Sequence, residues 1–225
     1  MEHKRVTLFA GHYGSGKTNI AVNYAFYLKN LGYDVSVADL DIVNPYFRTK
    51  DSEAELSAAG IPLISSAFAN SNVDLPALPQ ELYSLVERKD RYAVMDIGGD
   101  DRGALALGRY TPYILEENNY EMVFVANFYR PLTQTPNDAL EVMREIEQAC
   151  GIMFTAIANN SNIGWETSPY DVLKTVPLAE ELSQMSGIPI IMTTAENNVA
   201  LDLSEKLEGV FPMTLQKKYF DIKHV

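Results

Sequence analysis

The chain reads as an α/β domain in which a mostly parallel central sheet lies between two layers of helices. Three observations point there. Short apolar runs alternate with longer segments of helical period. The runs are apolar on both faces, as strands buried in a parallel sheet are. No Gly/Ser linker, internal repeat or low-complexity tract interrupts the 225 residues, so one domain over 1–225 is expected.

The elements follow in order. Val6 to Ala10 (VTLFA) is a buried strand. Thr18 to Asn30 is a helix, with Ile20, Ala21, Tyr24, Leu28 and Leu31 at three-to-four spacing and Gly32 ending it. Asp34 to Leu40 is a second strand, and Pro62 to Ser65 a short one. A helix over Pro79 to Arg88 precedes the strand Tyr92 to Asp96, which runs into Gly98-Gly99. Met122 to Asn127 is a strand, and Pro136 to Cys150 a helix with Thr135 as N-cap and Asp138 in its first turn. Ile152 to Ala158 is a strand, and Pro169 to Ser186 is helical with Pro177 expected to kink or split it. Ile188 to Met192 is the last strand expected, and Asn198 to Leu207 the last helix.

Composition narrows the function. Hydrophobic residues make up 47% and charged residues 21%, which excludes a disordered, collagen-like or coiled-coil chain. The net charge of −12 opposes nucleic-acid coating and stable binding to anionic membrane. Cys150 is the only cysteine, so neither an internal disulfide nor a multi-cysteine metal site can form within one chain, and a small buried residue is expected there. No apolar run approaches ~20 residues and no leader-like segment precedes the first strand; a soluble, cytoplasmic protein is expected.

In parallel sheets, chemistry gathers at the carboxyl ends of strands. The first strand leads into Gly11-His12-Tyr13-Gly14-Ser15-Gly16-Lys17-Thr18 and then a helix, fitting G-x-x-x-x-G-K-[ST] in the strand–loop–helix setting that motif requires. Glycines let the backbone approach closely and aim N–H groups inward, and the helix N-terminus adds positive potential. Lys17 supplies a charge for the β and γ phosphates, and the Thr18 hydroxyl is a Mg²⁺ ligand. The candidate cofactor-binding stretch extends one residue further, to Asn19. Asp39 and Asp41 end the second strand, one to orient a metal-bound water and the other an attacking water. Asp96, at the end of YAVMD, is the metal-side carboxylate, and Gly98-Gly99 suit a loop that closes on a γ-phosphate.

Together these residues resemble the MinD/ParA/CobQ-type proteins, the deviant-Walker, SIMIBI-class branch of P-loop nucleotide-binding proteins. The likeness spans roughly residues 5–194. It rests on the phosphate loop, the second-strand DLD followed by Pro45, the DIGG segment, and Asn159-Asn160 after IMFTAIA. It implies a three-layer α/β/α P-loop NTPase fold, ATP and ADP with Mg²⁺, a protein partner, and a nucleotide-dependent homodimer as working form. The phosphate-loop roles fall on Gly11, Gly14, Gly16, Lys17 and Thr18, the water-activating role on Asp41, the Walker-B-like role on Asp96, and base recognition on Asn159 with Asn160 beside it. One position departs from the family: His12, followed by Tyr13, stands where the signature lysine and the glycine after it are found. An imidazole does not duplicate a fixed cation.

Other features are weighed beside these. Asn44-Pro45-Tyr46-Phe47-Arg48 resembles a switch loop. Trp165 and Tyr170 either stack on a base or partner or simply pack. Arg102, Arg109 and Arg130 read as surface cations, and Tyr110 to Tyr113 with Phe128-Tyr129 as a partner groove. The C-terminal FPMTLQKKYFDIKHV is too short and too weakly segregated for a membrane anchor. The leading expectation is an ATPase switch acting on a protein partner. A carboxylate-activating ligase of the dethiobiotin-synthetase type is a second, supported by Arg48 and Lys50 alone, and a non-hydrolysing nucleotide sensor a third. The absence of an Asn-Lys-x-Asp guanine reader favours adenine.

Overall fold

Along β1 (Val6–Ala10) every residue is buried, and alternate side chains enter opposite cores. Val6, Leu8 and Ala10 face one layer and Phe9 the other. The computed structural model describes residues 3–41, 49–65, 81–98 and 107–216. The expected loop at 44–48, residues 99–102, the basic tail from Lys217 and the Lys50 side chain lie outside the described residues.

Eight strands are described: β1, β2 (Val35–Leu40), β3 (Leu63–Ser65), β4 (Tyr92–Ile97), β5 (Tyr120–Ala126), β6 (Ala156–Asn159), β7 (Ile190–Glu196) and β8 (Val210–Met213). They form one sheet in the order β3-β2-β4-β1-β5-β6-β7-β8, and every pairing is parallel. Seven α-helices are described: α1 (Lys17–Asn30), α2 (Glu53–Ala58), α3 (Glu81–Glu87), α4 (Thr111–Glu117), α5 (Pro136–Cys150), α6 (Pro169–Ser186) and α7 (Asn197–Ser204). Ile20, Ala21, Ala25 and Leu28 of α1 and Leu56 of α2 cover one face, against Phe9, Val37, Val94 and Val125. Leu82 and Leu85 of α3, Ile114 of α4, Ala139 and Met143 of α5, and Ala179 and Leu182 of α6 cover the other. The fold is therefore the expected three-layer α/β/α P-loop architecture, its sheet parallel throughout the described strands.

Several boundaries differ from expectation, each for a local reason. The strand expected from Ile152 begins only at Ala156. Upstream, the Phe154 N–H donates to Glu147 Oε1, and the Met122 N–H donates to the Thr155 hydroxyl rather than to a strand carbonyl. Pro177 does not split α6, which runs unbroken from Pro169 to Ser186. A single proline removes one helical hydrogen bond, and the buried Val172, Thr175, Ala179 and Leu182 hold the turns on either side. Ile190–Glu196 is longer than expected and is not the last strand, because β8 follows it at the sheet edge. Pro212 disguises β8 in the sequence, and edge strands are where proline is tolerated. The expected aromatic groove does not form: Tyr110 and Phe128 are buried, the Tyr129 hydroxyl donates to the Asp171 carbonyl, and Tyr113 is the exposed member. Cys150 is buried, as expected. No helix among the described residues is long and apolar enough to cross a membrane.

Candidate phosphate-binding site

Three helix N-termini show how the chain separates structure from function. α5 and α6 each open with a capping box, Thr135 with Asp138 and Ser168 with Asp171, which satisfies their first N–H groups and sets a carboxylate against the positive end. Helix α1 has neither a side-chain cap nor an acidic residue in its first turn. Its positive end is left for an anion.

The loop before α1 is held in place by close packing. A Cβ on Gly11 would come 2.6 Å from the Val125 carbonyl oxygen, so only glycine fits against β5. Gly16 sits at φ +88°, and a Cβ there would overlap the Asn160 amide nitrogen. That amide donates to the Ser15 carbonyl at 2.6 Å. Because C=O and N–H point in opposite directions across a trans peptide, pinning the Ser15 carbonyl turns the Gly16 N–H the other way. Asn160 is itself fixed, its Oδ1 accepting from Thr194 Oγ1 at 2.5 Å and Asn162 Nδ2 at 3.3 Å.

Lys17, Thr18, Asp41 and Asp96 converge beside this loop. Lys17 is only 2% exposed, and its Nζ lies 3.3 Å from Asp41 Oδ2. The Thr18 hydroxyl donates to Asp96 Oδ2 at 2.7 Å, and the Thr49 hydroxyl donates to the same oxygen at 3.0 Å. Asp39 stands in register with Asp96 across β2 and β4, and its Oδ1 accepts the Asp41 backbone N–H at 3.0 Å. Asp96 is fully buried. Burial pushes its pKa up to about 6, against the opposing pull of Lys17 and the Thr18 and Thr49 hydroxyls and with the Asp41 charge adding to the rise. Its Oδ1 and the Ser15 hydroxyl have no hydrogen-bond partner among the described residues.

These groups suit Mg²⁺. Among the described residues no cluster of three or more His, Cys, Asp or Glu is placed to hold a metal. A hard cation bound by one carboxylate, one hydroxyl and its ligand's phosphate oxygens needs no such cluster, and Asp96 Oδ1 is a buried oxygen with capacity to spare.

A cleft of about 410 Å³ opens over the loop. Of the residues expected from sequence, Tyr13, Gly14, Gly16, Lys17, Thr18, Asn19 and Asn160 line it. Gly11, His12 and Ser15 lie outside the lining: Ser15 is buried behind the loop, and His12 Nδ1 is 3.0 Å from the Tyr13 carbonyl oxygen. Asn159 also lies outside, its amide donating to Thr175 Oγ1 and accepting from Ser161. Trp165 lines the cleft and Tyr170 does not.

Sequence reasoning missed Thr49, Arg130, Asn162 and the wall made by Met213, Leu215 and Gln216. Arg130 follows the carboxyl end of β5, so the strand-end rule that singled out Asp96 also reaches it. The Leu215–Gln216 wall depends on β8 and carries no motif.

Solved structures with a similar arrangement of strands and helices include FtsY proteins and a signal recognition particle protein. The chain shares their fold. It matches cell division protein FtsY from Thermotoga maritima with a TM-score of 0.59 at 15% identity, covering 86% of this chain and 62% of that one. Chloroplast FtsY from Physcomitrella patens matches with 0.54 at 20% identity, over 86% and 59%. The signal recognition particle 54 kDa protein from Aeropyrum pernix, solved in complex with GDP, matches with 0.51 at 14% identity, over 85% and 41%. The chain thus spans about three fifths or less of the length of these structures. No family model matches the chain, and no curated protein matches it in sequence.

Proposed function

We propose that this chain is a nucleotide-dependent switch that binds ATP with Mg²⁺, hydrolyses it to ADP and phosphate, and acts on a protein partner, in the manner of the MinD/ParA-type proteins it resembles. The observation that carries the reading is the convergence of Lys17, Thr18, Asp41 and Asp96 beside an uncapped helix N-terminus.

Lys17 offsets charge on the β and γ phosphates. Thr18 and Asp96 would hold the Mg²⁺, with Asp39 beside them at the strand end. When bound, the ion spreads the charge that develops on the transferred phosphoryl group. Asp41 accepts a hydrogen bond from the attacking water, whose oxygen bonds to the γ-phosphorus as the bond to the ADP oxygen breaks. Asp41 neutralises Lys17. An entering phosphate competes for that ammonium and leaves the carboxylate available to the water. Asn160, Asn162 and Trp165 form the base end of the cleft. A nucleotide-dependent homodimer is the working form this reading carries.

Adenine is favoured because the chain carries no Asn-Lys-x-Asp segment and has Asn160-Ser161-Asn162-Ile163 after β6. The GDP in the Aeropyrum pernix structure makes guanine the alternative. Parallel titrations with ATP and GTP, with and without Mg²⁺ and with particle size followed, separate the two and test the dimer.

Phosphate release tests the activity. Asp41→Asn is expected to abolish release while ATP still binds. Lys17→Ala is expected to weaken ATP binding at least a hundredfold, the scale of removing one partner from a buried charged contact. Unchanged ATP affinity in Lys17→Ala overturns the assignment. Consumption of a small carboxylate alongside ATP replaces the switch with the ligase.

A further inference from the structure

Among the described residues, the cleft lining holds two cations, Lys17 and Arg130, and no carboxylate, in a chain whose net charge is −12. Lys17 is paired with Asp41. Among the described residues Arg130 is paired with no acid: its Nε donates to the Gly14 carbonyl of the loop at 2.8 Å, an uncharged acceptor, and its Nη1 and Nη2 make no hydrogen bond to any of them. The side chain lies flat across Gly14, where an added Cβ would sit 3.6 Å from Nε and 3.7 Å from Cδ.

The segment carrying this arginine is firmly mounted. The Arg130 N–H donates to the Asn127 carbonyl at 3.1 Å, and the Thr133 N–H donates to the Arg130 carbonyl at 3.0 Å, closing the short 3₁₀ turn Pro131–Thr133. Asn127 is fully buried, its carbonyl accepting from the Thr133 hydroxyl at 2.6 Å. The Phe128 N–H donates to the Ser161 hydroxyl, tying the segment to the loop after β6. A cation that serves only solubility needs no such mounting. Guanidinium is planar, so fixing Nε on the loop also fixes the direction of the Nη pair. Such a fork is suited to two phosphate oxygens at once.

We infer that Arg130 is a second phosphate-binding cation, contacting the polyphosphate chain of the bound nucleotide from the outer side of the loop. The inference rests on the nucleotide reading given above. The part of the loop it lies across is the part whose N–H groups cradle the α and β phosphates in this motif. Arg130 thus does two things: Nε braces the loop, and the Nη groups add a charge that Lys17 alone does not supply.

Titrations of ATP against wild type, Lys17→Ala, Arg130→Gln and Arg130→Lys, each at several salt concentrations, test this, with thermal melts confirming folding. Arg130→Gln is expected to lower ATP affinity about tenfold and to flatten the salt dependence, since one fewer charge faces the phosphates. Arg130→Lys, which keeps the charge but not the fork, is expected to retain the wild-type salt dependence at intermediate affinity. Weaker binding in Arg130→Gln with an unchanged salt dependence means that Arg130 is only a brace, and overturns the inference. Wild-type affinity in Arg130→Gln overturns it too, while the nucleotide reading stands if Lys17→Ala is weakened. A wild-type chain that binds no nucleotide removes both.

Discussion

Two clusters of buried charge lie at opposite ends of the same sheet, and they differ in how completely they are satisfied. At the amino end, Arg5 is 4% exposed and each nitrogen of its guanidinium has a partner. Nε and Nη2 pair with the Glu117 carboxylate, and Nη1 donates to the carbonyls of Leu85 at 2.9 Å, Arg88 at 3.2 Å and Arg91 at 2.9 Å. At the carboxyl end, Asp96 is more deeply buried, yet its Oδ1 and the neighbouring Ser15 hydroxyl have no partner among the described residues. A saturated cluster holds elements together; an undersaturated one costs stability and persists where another requirement keeps it.

Breaking the saturated cluster tests this contrast most severely. Arg5→Ala leaves Glu117 and three carbonyls without their donor, and a loss of about 4 kcal/mol in unfolding free energy is expected, with ATP affinity per folded molecule unchanged. A chemical-denaturation curve paired with a titration reads both. A large fall in affinity without loss of stability would erase the distinction between the two ends.

The undersaturated cluster carries the opposite sign. The Asp96 carboxyl, raised to about 6, holds its proton in the folded chain over a range where the unfolded chain, near 3.8, has lost it. Stability contributed by that proton is present at low pH and is lost as pH rises from about 4 through about 6. Two pH units correspond to about 3 kcal/mol. In nucleotide- and Mg²⁺-free buffer, Asp96→Asn is therefore expected to gain on wild type by about that amount between pH 4 and pH 7, measured as the difference between two denaturation series. A difference that stays flat with pH shows that burial is not straining this carboxyl.

The smallest effect lies at the mouth of the cleft. Trp165 is 58% exposed, so Trp165→Ala is expected to leave the melting temperature nearly unchanged. If the indole stacks on the base, ATP affinity falls about tenfold, the scale of one base–aromatic stack. Unchanged affinity would assign the indole to the surface alone.

Legibility followed the same division. The loop end of the cleft was readable because it is local: eight consecutive residues carry their own backbone requirements, and strand-end carboxylates announce themselves by position. The layered fold was readable because burial on both faces leaves a continuous apolar run. The rest of the cleft was not, because its wall is assembled from Ile163 to Trp165 and from Met213 to Gln216, segments that only the order β6-β7-β8 brings together. Asn159 and Asn160 are adjacent in sequence, yet one turns to Thr175 and the other to the loop, a difference that strand pleating decides and residue type does not. Arg130 was hidden by its type, since arginines are common on surfaces; what marks it is the glycine beneath it.

Helix α1 also anchors the chain that follows β8. Asn19 and Asn23, one turn apart, grip the extended chain beyond β8 as a neighbouring strand would. Asn23 exchanges two hydrogen bonds with the Thr214 backbone, each 2.9 Å, and Asn19 Oδ1 accepts the Gln216 N–H at 3.0 Å, while Gln216 Nε2 reaches the Ser52 hydroxyl at 2.7 Å. Those asparagines act as rungs of a ladder whose top rung adjoins Thr18. Unzipping it would slacken the first turn of α1 and one cleft wall in a single event, so a fluorophore attached at Leu215 should register any loosening of that turn.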